Sequence, residues 1–251
     1  RIGEFAFSYC ESLESIVFSK GVKEIGSHAF SYCKSLVSFE VDAENQSYSV
    51  IDGVLFDKEG KSVIYYPPGF KNESYVIPDG VTGINELAFS ECSSLKKVEV
   101  PDSVTEIGDG AFMGCYKLED INFPESLKSI GISAFSNCNS LKKAEIPDSV
   151  EYIGDHAFYE CLSLTSMKLP KNLIRIHDQT FDNCANLENV EIPEGVQEIG
   201  SSAFGRCISL ENVILPDSIT KVESTAFSDC ISLQSIELPE GIKEISENAF
   251  D

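Results

Sequence analysis

Nine cysteines, Cys10, Cys33, Cys92, Cys115, Cys138, Cys161, Cys184, Cys207 and Cys230, are the side chains in this chain with the widest chemical reach. Thiolates ligate metals and attack electrophiles, and paired thiols oxidise to disulfides. Their spacing argues against all three uses. Successive cysteines lie 23 residues apart except between Cys33 and Cys92, so each occupies the same phase of one repeat. A metal site needs ligands converging from several directions, as in paired Cys-x-x-Cys motifs, and no such pair is present. A disulfide between stacked copies would hold its Cβ atoms at the strand spacing of ~4.8 Å rather than the usual ~3.8 Å. The row reads best as buried free thiols serving as small apolar residues, with all nine expected in the core.

Other reactive types are sparse. His28 and His156 precede an Ala-Phe pair and His177 replaces a glycine, none with a nucleophile or carboxylate partner in a known motif. G-x-S-x-G, H-E-x-x-H and phosphate-cradling loops are missing too, so neither an active site nor a cofactor is expected. Acidic residues follow a proline at Asp79, Asp102, Glu125, Asp148, Glu194, Asp217 and Glu240, with Lys171 the exception. Exposed like charges about 5 Å apart repel by at most ~0.8 kcal/mol. Burying one leucine contributes more, about 1.5–3 kcal/mol, so turn chemistry and solubility account for the row. A divalent-cation strip would need the clustered ligands of an EF-hand loop. Two Asn-x-Ser triplets, at Asn45 and Asn72, carry meaning only in a glycosylating host.

The cysteine frame also collects the apolar residues. Phe7, Phe30, Phe89, Phe112, Phe135, Phe158, Phe181, Phe204, Phe227 and Phe250 each lie three residues before the cysteine position. One unit, LEDINFPESLKSIGISAFSNC from Leu118, places apolar residues at Leu118, Ile121, Phe123, Leu127, Ile130, Ala134, Phe135 and Cys138. So few inward residues cannot make a self-sufficient core. A unit hides its apolar face only against a neighbour, and the copies must stack into a solenoid.

Within a unit, LKKVEVP at 95–101 reads as a short strand with Val98 and Val100 inward and Lys97 and Glu99 outward. Proline ends it for want of an N–H. An acidic residue then Ser or Gly signals a turn, and Val-x-x-Ile, as from Val104 to Ile107, reads as a second extended segment on the opposite wall. A-F-x-x-C then predicts a single helical turn that drives Phe and Cys inward. The glycine after the isoleucine gives way to Asn85, His177, Glu223 and Ser246, so a glycine-only conformation is not required there.

Forty-one acidic against nineteen basic residues give a net charge of −22, which repels nucleic acid and anionic lipid surfaces. No apolar stretch approaches the ~20 residues of a membrane span. The 251 residues read as one repeat domain cut within a repeat at both ends, so a signal peptide or anchor could lie outside it.

The 23-residue unit L-x-x-[IV]-x-[LIVF]-P-x-[SG]-V-x-x-I-G-x-x-A-F-x-x-C resembles the BspA-like, or treponemal-type, leucine-rich repeat family of bacterial surface proteins. The likeness covers essentially the whole chain. It implies a β-rich solenoid: a right-handed leucine-rich repeat superhelix of about eleven coils, with a parallel sheet on one face, short helical turns and one irregular β-hairpin insertion. It also implies a cell-surface or secreted location and adhesion to host or bacterial proteins.

The irregular segment spans about 42–78, where Cys33 and Cys92 stand 59 residues apart, two periods plus thirteen. Two β-rich runs, 50–56 and 62–66, flank Asp57-Lys58-Glu59-Gly60 and predict a hairpin. Aligning the strands on their terminal prolines puts Ile64 and Tyr66 inward and Tyr65 outward, then Ile77 inward and Val76 outward. The outward row is therefore Val17, Glu40, Tyr65, Val76, Glu99, Asn122, Glu145, Lys168, Glu191, Ile214 and Glu237. These positions vary far more than the inward ones. From Glu40 onward they are the expected contacts for a protein ligand, with Tyr65 and Val76, rimmed by Glu40 and Glu99, as the hot spot. The competing readings are a spacer that presents another domain and, more remotely, an enzyme.

Overall fold

The computed structural model describes residues 1–251 as a β-solenoid of about 10 turns, rather than eleven, with no α-helix. The front wall carries the strands Ser15–Phe18, Ser38–Val41, Ser74–Val76, Lys97–Glu99, Asp120–Ile121, Lys143–Glu145, Ser166–Lys168, Asn189–Glu191 and Asn212–Ile214. The back wall carries two-residue strands from Gly83–Ile84 to Glu244–Ile245. Parallel pairing follows the repeat: Val17 lies beside Glu40, Val76 beside Glu99, and Ile130 beside Ile107 and Ile153. Parallel ladders thus occupy two walls, where the sequence led us to expect one sheet.

The third wall differs most from expectation, because A-F-x-x-C forms no helical turn. The residue before Ala and the residue before Cys both adopt left-handed φ, as at Leu87 (58°) and Glu91 (61°), or Ser133 (54°) and Asn137 (62°). A helix would spend these N–H groups on its own carbonyls. Alternating right- and left-handed residues turns them along the solenoid axis instead. Gly110, Phe112 and Gly114 donate to the carbonyls of Ile132, Ala134 and Ser136 in the next coil, at 2.7–2.9 Å. Each non-glycine left-handed residue costs roughly 1–2 kcal/mol. The axial hydrogen bonds, each worth about 0.5–1.5 kcal/mol, offset that cost together with the burial they enforce.

That burial is a column of aromatic rings. From Tyr66 through Phe89, Phe112, Phe135, Phe158, Phe181, Phe204 and Phe227 to Phe250, successive rings stack with centroids 4.8–5.6 Å apart. Beside it runs the cysteine column. Each buried thiol except Cys92, which lies 3.8 Å from Tyr66 O, donates to the carbonyl of the phenylalanine one coil earlier, from Cys115 Sγ to Phe89 O (3.0 Å) through Cys230 Sγ to Phe204 O (3.2 Å). Cysteine thus supplies a small apolar volume with a donor for a buried carbonyl. Glycine after the isoleucine reflects close approach: a Cβ on Gly108 would stand 2.7 Å from Glu86 N. That position has ordinary φ, in keeping with its occupation by Asn85, His177, Glu223 and Ser246 elsewhere.

The irregular segment is a septum. Tyr48–Ile51 pairs antiparallel with Val54–Asp57 across Asp52-Gly53, both at positive φ, and Val54–Asp57 pairs antiparallel with Ser62–Tyr65. The run 50–56, read from sequence as one strand, is therefore itself a two-residue hairpin, for which Asp-Gly is well suited. Ser62–Tyr65 joins the back wall, with Val63 beside Ile84. Its residues divide between two separate cores: Val54, Phe56, Val63 and Tyr66 enter the larger, and Tyr48, Leu55 and Tyr65 the smaller, with Phe18, Phe30 and Phe39.

The outward placement of Tyr65 is thereby overturned. The Tyr65-Tyr66 pair fills the Ala-Phe slot of a back-wall coil, not the end of a front strand. Tyr65 is 8% exposed, and its hydroxyl donates to Phe30 O at 2.8 Å. One thiol also departs from expectation: Cys10 is exposed, while the others are buried. Under native conditions an alkylating reagent should modify Cys10 alone, and the other eight only after denaturation, as read by mass spectrometry. Rapid native labelling of Cys115 or Cys161 would contradict the packing.

Candidate functional site

The front strands set the geometry of the expected binding surface. Strand alternation turns Val98 and Val190 into the core and leaves Glu40, Val76, Glu99, Asn122, Glu145, Lys168, Glu191, Ile214 and Glu237 exposed. The first eight lie on or beside front strands, whereas Glu237 lies in an irregular stretch. The tyrosine-centred patch is not formed: Tyr65 is buried, and Glu40 belongs to a separate two-stranded sheet from Val76 and Glu99. What remains is an acidic, partly self-paired face. Lys97 binds Glu99 at 3.1 Å and Lys143 binds Glu145 at 3.3 Å, all well exposed. Such pairs contribute little, about 0–1 kcal/mol. Asn122 has structural work: its amide accepts from Val100 N and donates to Val100 O, both at 2.8 Å, replacing a ladder rung.

Against this charged background three apolar side chains stand clear, Val17 (68% exposed), Val76 (62%) and Ile214 (70%). A shallow depression beside Val76 is bounded by Lys97, Glu99, Pro101, Asp120 and Asn122.

The groups with chemical reach are otherwise engaged. Burial pushes the Cys161 and Cys230 thiols up to about 12 and raises those of Cys92, Cys138, Cys184 and Cys207, so they stay protonated at neutral pH. His177 lies 3.6 Å from Asp155, and burial lowers its pKa below the usual histidine value. His28 meets Ser31 Oγ at 3.2 Å and stacks on Phe5. Within the acidic row, Asp148 is held by Lys171 at 3.1 Å. No group of three or more His, Cys, Asp or Glu side chains is disposed to hold a metal ion, and no helix is long and apolar enough to cross a membrane.

Two features had no sequence signal of their own. Asp182, almost fully buried, receives Arg206 in a two-pronged pair at 3.0 and 2.6 Å, in a slot that Ser31, Ser90 and Ser136 fill in other coils. Asn45, the acceptor of one glycosylation triplet, is fully buried. Its amide donates to Ser19 O and Val22 O and accepts from Ser47 N and Tyr48 N. It ties the septum to the coil beneath and is closed to modification in the folded chain.

Stacked parallel coils with an exposed, variable strand face define a leucine-rich repeat solenoid. The chain belongs to the family described as the BspA type leucine rich repeat region, which matches residues 1–69, 60–187 and 175–251. No curated protein matches the sequence. Among solved structures, a leucine-rich repeat protein from Eubacterium ventriosum is similar at 25% identity and a TM-score of 0.70, over 96% of this chain and 59% of that one. The pneumococcal vaccine antigen PcpA is similar at 26% identity and a TM-score of 0.61, over 92% of this chain and 50% of that one. A leucine-rich repeat protein of T. pallidum matches at 30% identity and a TM-score of 0.52, over 82% of this chain and 84% of that one. The chain thus spans about half to three fifths of the length of the first two.

Because Tyr65 bridges septum and core, Tyr65→Ala should destabilise the fold by about 3–5 kcal/mol, the usual range for truncating a buried aromatic. Chemical denaturation would measure this. A change below about 0.5 kcal/mol, typical of a surface site, would restore the outward placement.

Proposed function

We propose that the chain is a non-enzymatic protein-binding module of a cell-surface or secreted bacterial protein, and that its partner lies across the front strands. The observation that carries this reading is the isolation of Val17, Val76 and Ile214, more than three-fifths exposed on a largely charged face that is partly self-paired. A spacer has no need to hold single apolar side chains in water on a rigid ladder. A binder uses such residues as anchors, with polar neighbours as the rim. Val76 with Glu99 and Ile214 with Glu191 are directly paired across strands, so each anchor has an acid beside it.

Family membership supports protein recognition, and similarity to a vaccine antigen supports a surface or secreted setting. The net charge of −22 favours a protein partner over nucleic acid or anionic lipid. Host extracellular-matrix proteins or another bacterial surface protein fit the class. Glu40, Glu99, Glu145, Lys168, Glu191 and Glu237 supply the polar rim. Asn122, already committed to Val100, contributes less.

The test is capture of purified matrix and bacterial surface proteins by the chain, against a Val76→Glu/Ile214→Glu variant. Loss of a captured partner by at least tenfold, about 1.4 kcal/mol, with an unchanged melting temperature supports the front face. Equal capture by the variant would move the site elsewhere. A wild-type chain that captures nothing would favour the spacer.

A further inference from the structure

Along the back wall one column of outward residues runs through Ser62, Gly83, Glu106, Ser129 and Tyr152, each beside the next in parallel register. A second sheet carries the column on through Arg175, Glu198, Lys221 and Glu244. What covers the two halves differs. Arg175 and Lys221 knit the later half together, with contacts to Glu198, Glu223 and Glu244 at 3.2–3.9 Å. In the earlier half a depression of about 570 Å³ lies open, and its lining contains no lysine or arginine.

Gly83 is the residue there that packing does not require. It sits in a strand, Gly83–Ile84, that pairs without a bulge on both sides, and its φ is not left-handed. A Cβ on Gly83 would meet only Ser62 Oγ, at 3.7 Å. Gly108 and Gly131 differ, since a Cβ on either would run into the backbone of the previous coil. Glycine weakens a strand, and where neither a bulge nor crowding calls for it, it marks the close approach of a ligand.

The depression has a floor, two sides and an end. Gly108 and Gly131 form the floor, with Glu106 and Ser129 before them in the chain on one side and Asp109 after Gly108 on the other. Tyr152 closes the end. Its ring is backed by His177, edge-on at 5.0 Å, which in turn lies 3.6 Å from Asp155. Burial, then the charges of Asp155 and Asp109, raise the Tyr152 pKa, in keeping with a ring that leans across the floor toward Asp109. Asp109 spends one oxygen on Ile132 N, at 2.7 Å, and keeps the other free, while Glu106 keeps both.

We propose that this trench binds a short neutral oligosaccharide of gluco-configured pyranose rings, laid along the solenoid axis. One such ring advances its chain by about 5 Å, close to the ~4.8 Å step between strands, so the sugar keeps pace with the coils. Its hydroxyls donate to the carboxylates of Glu106 and Asp109, the Asn85 amide bonds a further hydroxyl, and the C–H face of the last ring packs on Tyr152. Gly83 leaves room for the other end. The volume falls in the ligand-site range of about 300–1,000 Å³. A protein partner needs an apolar core to its contact, and the only outward apolar side chain here is Tyr152. An anionic ligand is repelled by the carboxylates. The trench lies on the wall opposite the front strands, so it stands independently of the front-face reading.

The test titrates cellotriose and, separately, tri-N-acetylchitotriose into the isotope-labelled chain and follows backbone amides by NMR. At least one of the two should shift Gly83, Gly108 and Gly131 and leave Gly200 and Phe204 unmoved. Tyr152→Ala should weaken that binding by about tenfold or more. Gly83→Ile, which fills the trench with a residue that suits a strand, should weaken it similarly while the melting temperature stays level or rises. Val76→Glu on the front face should change nothing. The inference is overturned if neither sugar shifts the three glycines up to its solubility limit, or if Tyr152→Ala and Gly83→Ile, both with native amide dispersion, bind as the unaltered chain does. It is equally overturned if only the basic peptide N-acetyl-Ala-Arg-Ala-amide produces the shifts, which would make the trench a contact for a cationic protein segment.

Discussion

Hydrogen bonding along the solenoid axis on the turn wall is the constraint on which the rest of the structure depends. A coil that must offer N–H groups forward at every second residue cannot form a helix there, and it accepts two left-handed residues instead. The same geometry fixes the residues between them. Alanine and phenylalanine point inward at the coil spacing, which is also a favourable stacking distance for rings. From Phe89 to Phe204 each phenylalanine carbonyl, turned inside, meets the next coil's cysteine thiol. Chemistry that the thiols could have performed is thereby spent on packing, and burial keeps the Cys161 and Cys230 thiols protonated.

The septum shows what happens when one coil cannot meet that constraint. Residues 48–66 fold as three antiparallel strands whose two faces close two cores, so both Tyr65 and Tyr66 are buried although they are adjacent. The back wall of the later coils runs into the septum through Ser62–Tyr65 and ends there, apart from the isolated Ile2–Ile25 bridge, and the front wall is interrupted between Val41 and Ser74. Two surface properties result. Front-face residues before and after the septum belong to different sheets, and on the turn wall the N–H groups of His28 and Tyr32 have no acceptor in the protein.

Much of this was legible in the residues. The cysteine and phenylalanine phase, the prolines that end the front strands, and the Val-x-x-Ile segments led directly to stacked coils, and the alternation around Val98 and Val190 placed the outward positions. The turn wall was not legible, because phenylalanine and cysteine three residues apart look the same in a helical turn as in the alternating conformation. Gly110, Gly114 and a few Asn and Asp residues such as Asn137 and Asn183 hint at positive φ, but elsewhere the left-handed positions hold residues as ordinary as Glu91, Ser133 and Gln179. Tyr65 was misplaced because the proline after the tyrosine pair imitates the end of a front strand, and a segment buried on both faces has no polar alternation to correct the register. The Arg206–Asp182 pair and the four bonds of Asn45 depend on coils meeting side by side, which periodicity alone does not reveal.

Native-state hydrogen exchange on the turn wall tests the central claim most directly, because protection there reports the axial ladder residue by residue. The amides of Phe112, Phe135, Phe158 and Phe181 and their left-handed neighbours should be among the slowest in the chain, opening only with the fold, while those of His28 and Tyr32 exchange much faster. Helical protection across A-F-x-x-C, with each amide paired inside its own coil, or uniformly fast exchange at Phe135 and Asn137, would contradict the account.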